Sequence, residues 1–175
     1  MLLWLNGPFG VGKSTTAREV VKCSPGWRTF DPEGVGLMLR GNLSDRPFDD
    51  FQELAAWRVL VPRVADEIHR LTGEELVAVQ TVLNEDYWRE LRSGFHSLGG
   101  DVFHVVLDIE EGALRERIAG DLVEDDALDW RLSHIETFRA ARPWMTVEAD
   151  LVVDVTETGP QDAARSILRT LGRPA

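Results

Sequence analysis

The sequence predicts a three-layer α/β fold, a five-stranded parallel sheet with helices on both faces. Three observations point there. Apolar runs of strand length alternate with segments of helical spacing along the 175 residues, a length that fits one domain with a single core. The first run, Leu2-Leu3-Trp4-Leu5, is continuous, as expected of a strand buried on both faces. It leads directly into a glycine-rich loop, Gly7 to Ser14, and then into a helix. Right-handed crossovers are expected between successive parallel strands.

The first strand ends at Asn6-Gly7-Pro8. Ala17, Val20 and Val21 then fall at helical spacing until Pro25-Gly26 stops the helix. Trp27 to Phe30 reads as a short second strand, followed by Asp31-Pro32-Glu33-Gly34. Val35, Leu37, Met38 and Leu39 suggest a turn or two of helix, closed at Gly41-Asn42. The polar stretch Ser44-Asp45-Arg46-Pro47 leads into a long helical segment from about Asp49 to Leu71, in which Pro62 predicts a kink or a break. Leu76 to Val79 is the third strand, and Asn84 caps a helix carrying Tyr87, Trp88, Leu91 and Phe95. Gly99-Gly100 ends that helix, and Val102 to Leu107 is the clearest strand of all. A helix from Glu110 to Ile118 precedes an acidic, flexible stretch, Gly120 to Asp126. A helix from about Leu128 to Ala141, a last strand Leu151 to Asp154 and a closing helix from Gln161 to Leu171 complete the chain. There is no repeat and no low-complexity tract.

Apolar residues make up 43% of the chain, enough to fill such a core, and the 28% that are charged keep its surface soluble. A formal net charge of −11 argues against a general nucleic-acid binder, because a phosphate backbone is repelled at long range. It also disfavours anionic lipid. A nucleotide needs only a local cluster of amides and one or two cations, so it remains open. Cys23 is the single cysteine, which rules out an intrachain disulfide and a thiolate zinc cage. Its place in a helix predicts a half-buried structural thiol. The apolar start is too short for a signal peptide and falls well short of the about 20 residues of a membrane span, so a cytoplasmic protein is expected. The four histidines, His69, His96, His104 and His134, show no metal-ligand spacing, and His104 reads as a structural strand residue.

Gly7-Pro8-Phe9-Gly10-Val11-Gly12-Lys13-Ser14 matches G-x-x-x-x-G-K-[ST] without a misfit. Glycines let the backbone wrap phosphates, successive N–H groups point inward, and the following helix adds the positive end of its dipole. Lys13 supplies a mobile positive charge to the β and γ phosphates, and the Ser14 hydroxyl is placed to ligate Mg²⁺. With Thr15 beyond it, this loop between a strand and a helix predicts ATP and Mg²⁺ as cofactors.

The P-loop is followed, eighteen residues after Lys13, by Asp31 at the end of the second strand. That layout resembles the nucleoside monophosphate kinase and shikimate kinase group of P-loop phosphotransferases. Several blocks together resemble the tunicamycin resistance proteins more closely. They are Leu3 to Lys13, Phe30-Asp31-Pro32-Glu33-Gly34-Val35-Gly36, Leu39-Arg40, Asp49-Asp50-Phe51-Gln52 and Trp57-Arg58. The resemblance covers residues 2–118 well and the rest by layout. It implies a P-loop NTPase fold of the nucleoside-monophosphate-kinase type with strand order 2-3-1-4-5, and a role in resistance to a nucleoside antibiotic. Residues 33–71 then correspond to an acceptor-covering segment and 119–142 to a lid.

In the kinases that the layout resembles, an acid after the second strand faces the acceptor hydroxyl. Asp31 takes that place, as general base or orienting acceptor, or else caps the helix near Pro32-Glu33. Arg40 and Arg58 fall in the covering segment, where a guanidinium suits a phosphate or carboxylate. Phe51 and Trp57 either stack on a substrate ring or belong to the core. Gln80 stands where many P-loop proteins place an acid for the Mg²⁺ shell, which shifts that burden to Ser14 and Asp31. Gln80 and Thr81 either bond the acceptor or cap the strand end. Arg117 either lies on the adenine ring or pairs with Asp121. The lid position is acidic, and its arginine candidates are Arg131 and, further on, Arg139 and Arg142. Thr156 to Pro160 lies where related folds wall the adenine pocket.

Three readings follow. One is transfer of the γ-phosphoryl of ATP to a hydroxyl of a small molecule, with an antibiotic as one candidate. A second is ATP-dependent binding that sequesters the antibiotic without turnover, favoured by the arginine-poor lid and the missing acid. A third is a housekeeping nucleotide or metabolite kinase. The Asn-Lys-x-Asp element of a GTPase does not occur.

Overall fold

The computed structural model describes residues 1–120 and 125–173. Strands β1 (Leu2–Asn6), β2 (Trp27–Phe30), β3 (Glu75–Val79), β4 (Val102–Asp108) and β5 (Leu151–Asp154) form one parallel sheet in the order β2-β3-β1-β4-β5. This is the order that the family resemblance implies. Helices α1 (Lys13–Cys23), α2 (Glu33–Asn42), α3 (Ala55–Thr72), α4 (Glu85–Ser97), α5 (Glu111–Gly120), α6 (Asp125–Glu148) and α7 (Pro160–Thr170) cover it. A 3₁₀ turn, Phe51–Glu53, separates α2 from α3.

Two cores follow from the alternation of side chains along β1. Leu3 and Leu5 point to one face, where Ala17 and Val20 of α1 and Ala163 and Ile167 of α7 meet them. Leu2 and Trp4 point to the other, against Trp57 and Val61 of α3 and Trp88, Leu91 and Phe95 of α4. Burying each such large side chain stabilises the fold by roughly 1.5–3 kcal/mol. The register sets Phe30, Ala78, Trp4 and His104 level across four strands, so the carboxyl ends of the strands share one edge. The glycine loop opens at that edge.

Three sequence expectations are corrected. Pro62 neither breaks nor ends its helix: α3 runs through it to Thr72. Its ring is buried and faces Gly94 of α4, where a Cβ would stand 2.8 Å from Pro62 Cγ. Packing gained at this close crossing offsets the lost hydrogen bond, which costs about 3 kcal/mol in an unsupported helix. Similarly, α6 continues past Ala141 and through Pro143, because Phe138, Ala141 and Met145 form one helical stripe against Val106 of β4. Cys23 is exposed, not half-buried. The inward stripe of α1 runs Lys13, Thr16, Ala17, Val20 and on to Ser24, so the neighbouring serine takes the buried place.

His104 is structural, as its strand position predicts. Its ring stacks on Trp88 with centroids 4.0 Å apart. Nδ1 lies 3.1 Å from the Glu148 carbonyl and Nε2 3.4 Å from Asn6 Nδ2. A carbonyl only accepts and an amide NH₂ only donates, so the ring is neutral with its proton on Nδ1. Burial pushes the imidazole down to about 4 from an ordinary 6.5, against a smaller upward pull from the Glu148 carbonyl. A depressed folded value means the stability it represents is fully present above pH 6.5. It is lost as pH falls from there through 4, by about 3 kcal/mol in all. Urea unfolding at pH 7.5 and 4.5 checks this: His104→Gln is expected to lose about 2–3 kcal/mol less over that interval than the unaltered chain.

Candidate functional site

Gly7 is held on every side. Asn6 Oδ1 accepts its N–H at 2.9 Å, and Thr81 Oγ1 donates to its carbonyl at 2.8 Å. Its φ is +138°, and a Cβ there would stand 2.5 Å from the Leu107 carbonyl oxygen. Gly10, at φ +81°, would bring a Cβ within 2.6 Å of Ile118 Cγ1. Neither position accepts a side chain without moving β4 or α5. Asn6 Oδ1 also accepts from Val82 N at 2.9 Å, so the start of the loop is tied to the segment after β3.

The loop passes into α1 at Gly12, with no side-chain cap and no acid in the first turn. Uncapped amide donors at the positive end of a helix dipole suit an anion. Lys13 Nζ lies within this loop, donating to the Gly7 carbonyl at 3.1 Å and the Pro8 carbonyl at 2.7 Å. Burial pushes its ammonium down to about 7, and repulsion by Arg131 pushes the same way. Ser14 and Thr15 are exposed at the mouth. A buried cation, an uncapped helix start and a backbone cradle are a donor set that fits a polyphosphate.

Phe9 connects the loop to α6. Its ring lies 4.5 Å from that of Trp130 and 5.3 Å from that of His134. Trp130, Arg131 and His134 therefore form the face that α6 turns to the loop. Arg117 spans the other side, donating to Val11 O at 3.3 Å and to the carbonyls of Val155 and Thr156 beyond β5. Its expected partner Asp121 lies outside the described residues, as do 122–124 of the lid-like segment.

The remaining sequence candidates divide. Asp31 is exposed, and its Oδ1 accepts Glu33 N–H at 2.9 Å, so it caps the start of α2. Burial, and then the Asp31 charge, raise the Glu33 carboxyl. Trp57 is fully buried, with Nε1 donating to Pro32 O at 3.0 Å, and is a core residue rather than an open stacking surface. Phe51 packs 5.3 Å from it and against Gly36. Arg58 is buried: it pairs with Glu90 at 2.7 Å, donates to Gln52 O and lies over the Tyr87 ring. Arg40 closes its own loop through the carbonyls of Phe48 and Asp49. Arg139 pairs with Glu136, and Arg142 grips Asp108 at the end of β4 with both oxygens. Gln80 is buried; its N–H donates to Leu5 O at 3.3 Å, and among the described residues its side chain makes no hydrogen bond.

Sequence reasoning missed Asn6, Gln52, Trp130 and His134. Gln52 lies within a quoted block, and its buried amide donates to Thr81 O at 2.9 Å. Trp130 is a large aromatic just beyond the acidic lid-like stretch, a usable signal.

A family model described as an AAA domain, AAA_33, matches residues 2–143. Among solved structures the chain is similar to the tunicamycin resistance protein of Deinococcus radiodurans, with 28% identity and a TM-score of 0.73 over 98% of this chain and 95% of that one. The resemblance read from the sequence blocks is thus borne out. A sugar kinase from Janibacter sp. HTCC2649 matches at 18% identity and TM-score 0.69, covering 98% of this chain and 94% of that one. Shikimate kinase from Aquifex aeolicus matches at 21% and 0.64, covering 98% and 96%. At these identities the two kinases bear on the fold alone. Among the described residues no helix is long and apolar enough to cross a membrane.

The Lys13 environment gives a measurable expectation. Phosphate oxygens favour the charged amine, so a nucleotide is expected to raise its pKa and draw in a proton. At pH 8, titration calorimetry in buffers of different ionisation enthalpy is expected to show uptake approaching about one proton per ATP bound. Affinity then falls about tenfold per pH unit from pH 8 to 9. Lys13→Met is expected to abolish the uptake; uptake unchanged in that variant would assign the proton elsewhere.

Proposed function

We propose, on the premise that the chain belongs to the AAA_33 family, that it binds ATP with magnesium at the Gly7–Ser14 loop and moves the γ-phosphoryl group to a hydroxyl of a small molecule. The observation that carries this reading is the buried Lys13 amine inside the glycine loop, bonded to the Gly7 and Pro8 carbonyls, with Arg131 of α6 near enough for its charge to act on it. Phosphoryl transfer needs mainly positioning and charge neutralisation, and a backbone cradle with basic side chains at it suits both. Similarity to the tunicamycin resistance protein supports a nucleoside antibiotic as one candidate acceptor.

The residues take the following roles. Loop amides and Lys13 hold the β and γ phosphates, and Arg131 neutralises charge on the migrating group. Three carbonyls accept from the edge of the Arg117 guanidinium, an in-plane arrangement that leaves its flat face for the adenine. Residues 33–71 cover the acceptor and 119–142 form the lid. Asp31 takes the acceptor proton as the new oxygen–phosphorus bond forms and the bond to the β,γ-bridging oxygen breaks, releasing ADP. One oxygen of Asp31 accepts the cap bond at the start of α2, which aims the carboxylate without neutralising it.

Magnesium, when bound, neutralises charge on the phosphate oxygens. Ser14 Oγ is the protein group that fits it, and among the described residues no cluster of three His, Cys, Asp or Glu side chains could hold a metal. Phosphate oxygens and water complete such a shell readily, because this ion is reluctant to dehydrate.

ATP-dependent binding without turnover has an observation in its favour. Gln80 and Thr81 replace the usual acid after β3, and Arg139 and Arg142 are bound to Glu136 and Asp108. Asp31→Asn separates the readings. ATP affinity is expected to stay within about twofold while transfer falls by about 10²–10⁴-fold. Unchanged turnover would remove Asp31 from the chemistry. Protection from drug at one protein per molecule, with no phosphorylated product by mass spectrometry, would favour sequestration.

A further inference from the structure

We propose that the acceptor end of the site recognises an uncharged hydroxyl compound, read by the side-chain amide of Gln80 with that of Gln52 beside it. The inference rests on the reading that residues 33–71 cover an acceptor, and it names the chemical class of that acceptor.

Gln80 follows β3 directly, and its N–H bond to Leu5 O extends the strand by one residue. Alternation places its side chain on the face of Leu76 and Ala78, the face shared by Phe30, Val35 and Trp57, with Phe51 packed against it. Because Phe30 and Trp4 both lie level with Ala78, Gln80 stands between the end of β2, which leads to Asp31, and the end of β1, which leads to Gly7. A group held there lies between the proposed base and the phosphate loop.

Only 9% of Gln80 is exposed, and among the described residues its amide has no hydrogen-bond partner. It is not sealed from solvent either, since it is absent from the few buried polar atoms without partners. The amide therefore keeps its bonds to water, which a polar group entering the site can replace one for one. Gln52 repeats the pattern. Its Nε2 is committed to Thr81 O, whereas its Oε1 accepts no bond from the described residues. Two amides thus flank Thr81 with unused donors and acceptors.

The charges nearby decide what they take. Arg58 is held by Glu90, Gln52 O and the Tyr87 ring, and Arg40 by two carbonyls and the Phe48 ring. Asp31, Glu33, Asp45, Asp49, Asp50 and Glu53 face three arginines over residues 31–58. Among the described residues of this covering segment, a phosphate or carboxylate on the acceptor finds its buried arginine already committed and a surplus of like charge. A neutral hydroxyl or amide both gives to and takes from a glutamine.

The test is calorimetric binding in the presence of a non-hydrolysable ATP analogue, followed by turnover with ATP. The panel holds neutral sugars, polyols and nucleosides beside their phosphorylated and carboxylated counterparts, so the source of the hydroxyl is resolved as well. A neutral compound is expected to bind best. Gln80→Leu is expected to weaken it by about 10–100-fold while ATP affinity stays within about twofold. Gln80→Met is the second variant should Leu disturb the fold, with ATP affinity reporting on folding in both. A charged compound as the best ligand, no neutral ligand in the panel, or undiminished binding in the variants would overturn the inference. Gln80-dependent binding without phosphate movement would keep the inference and end the phosphotransfer reading instead.

Discussion

The peptide groups around Gly7 are fixed at once by β1, by β4 and by the segment after β3. Asn6 takes the N–H, Thr81 gives to the carbonyl, and the Leu107 carbonyl lies where any side chain would begin. Everything functional in the molecule hangs on that constraint. It forces the backbone of β1 to turn sharply at the edge of the sheet, which brings the following amides round to face one point. It also sets the height of Lys13, whose ammonium shares the Gly7 carbonyl with Thr81.

The constraint spreads outward through hydrogen bonds rather than apolar packing. Asn6 links the loop to Val82 and to His104, which rests on Trp88 and the Glu148 carbonyl. Thr81 links it to Gln52, and the Gln52 carbonyl links in turn to Arg58 and Glu90. The segment proposed to cover the acceptor is therefore joined to the phosphate loop by an unbroken polar chain. Such a chain is costly if any member is unpaired and rigid when all are paired. The Arg142–Asp108 pair does the same for α6, anchoring it to the end of β4 while its Trp130 end meets Phe9.

The strands, their number and the phosphate loop were legible because they depend on local pattern. Leu2 to Leu5 must be apolar in a central strand, and the loop glycines answer to sterics within a few residues. The order of strands came through family resemblance, since nothing in a single strand says which neighbour it pairs with. A break at Pro62 and a helix end near Ala141, both read from local pattern, do not occur, because long-range packing against Gly94 and Val106 carries α3 and α6 through. The roles of Trp57 and Arg58 were ambiguous for a similar reason: an aromatic or an arginine on a helix looks the same whether it faces a ligand or the core. Asn6 and its Val82 partner are 76 residues apart, and no spacing rule links them. Gln52 was hidden likewise, by a bond to Thr81 across 29 residues.

If the Gly7–Ser14 loop recognises a nucleotide through its terminal phosphates, then the length of the phosphate chain governs affinity and the base contributes less. Titration of the protein with ATP and with AMP, each with magnesium, tests this most directly. ATP is expected to bind at least about 100-fold more tightly, because only its β and γ phosphates reach the buried cation and loop amides. Equal affinities, or binding to neither, would contradict a triphosphate cradle at Gly7–Ser14 and the functional account built on it.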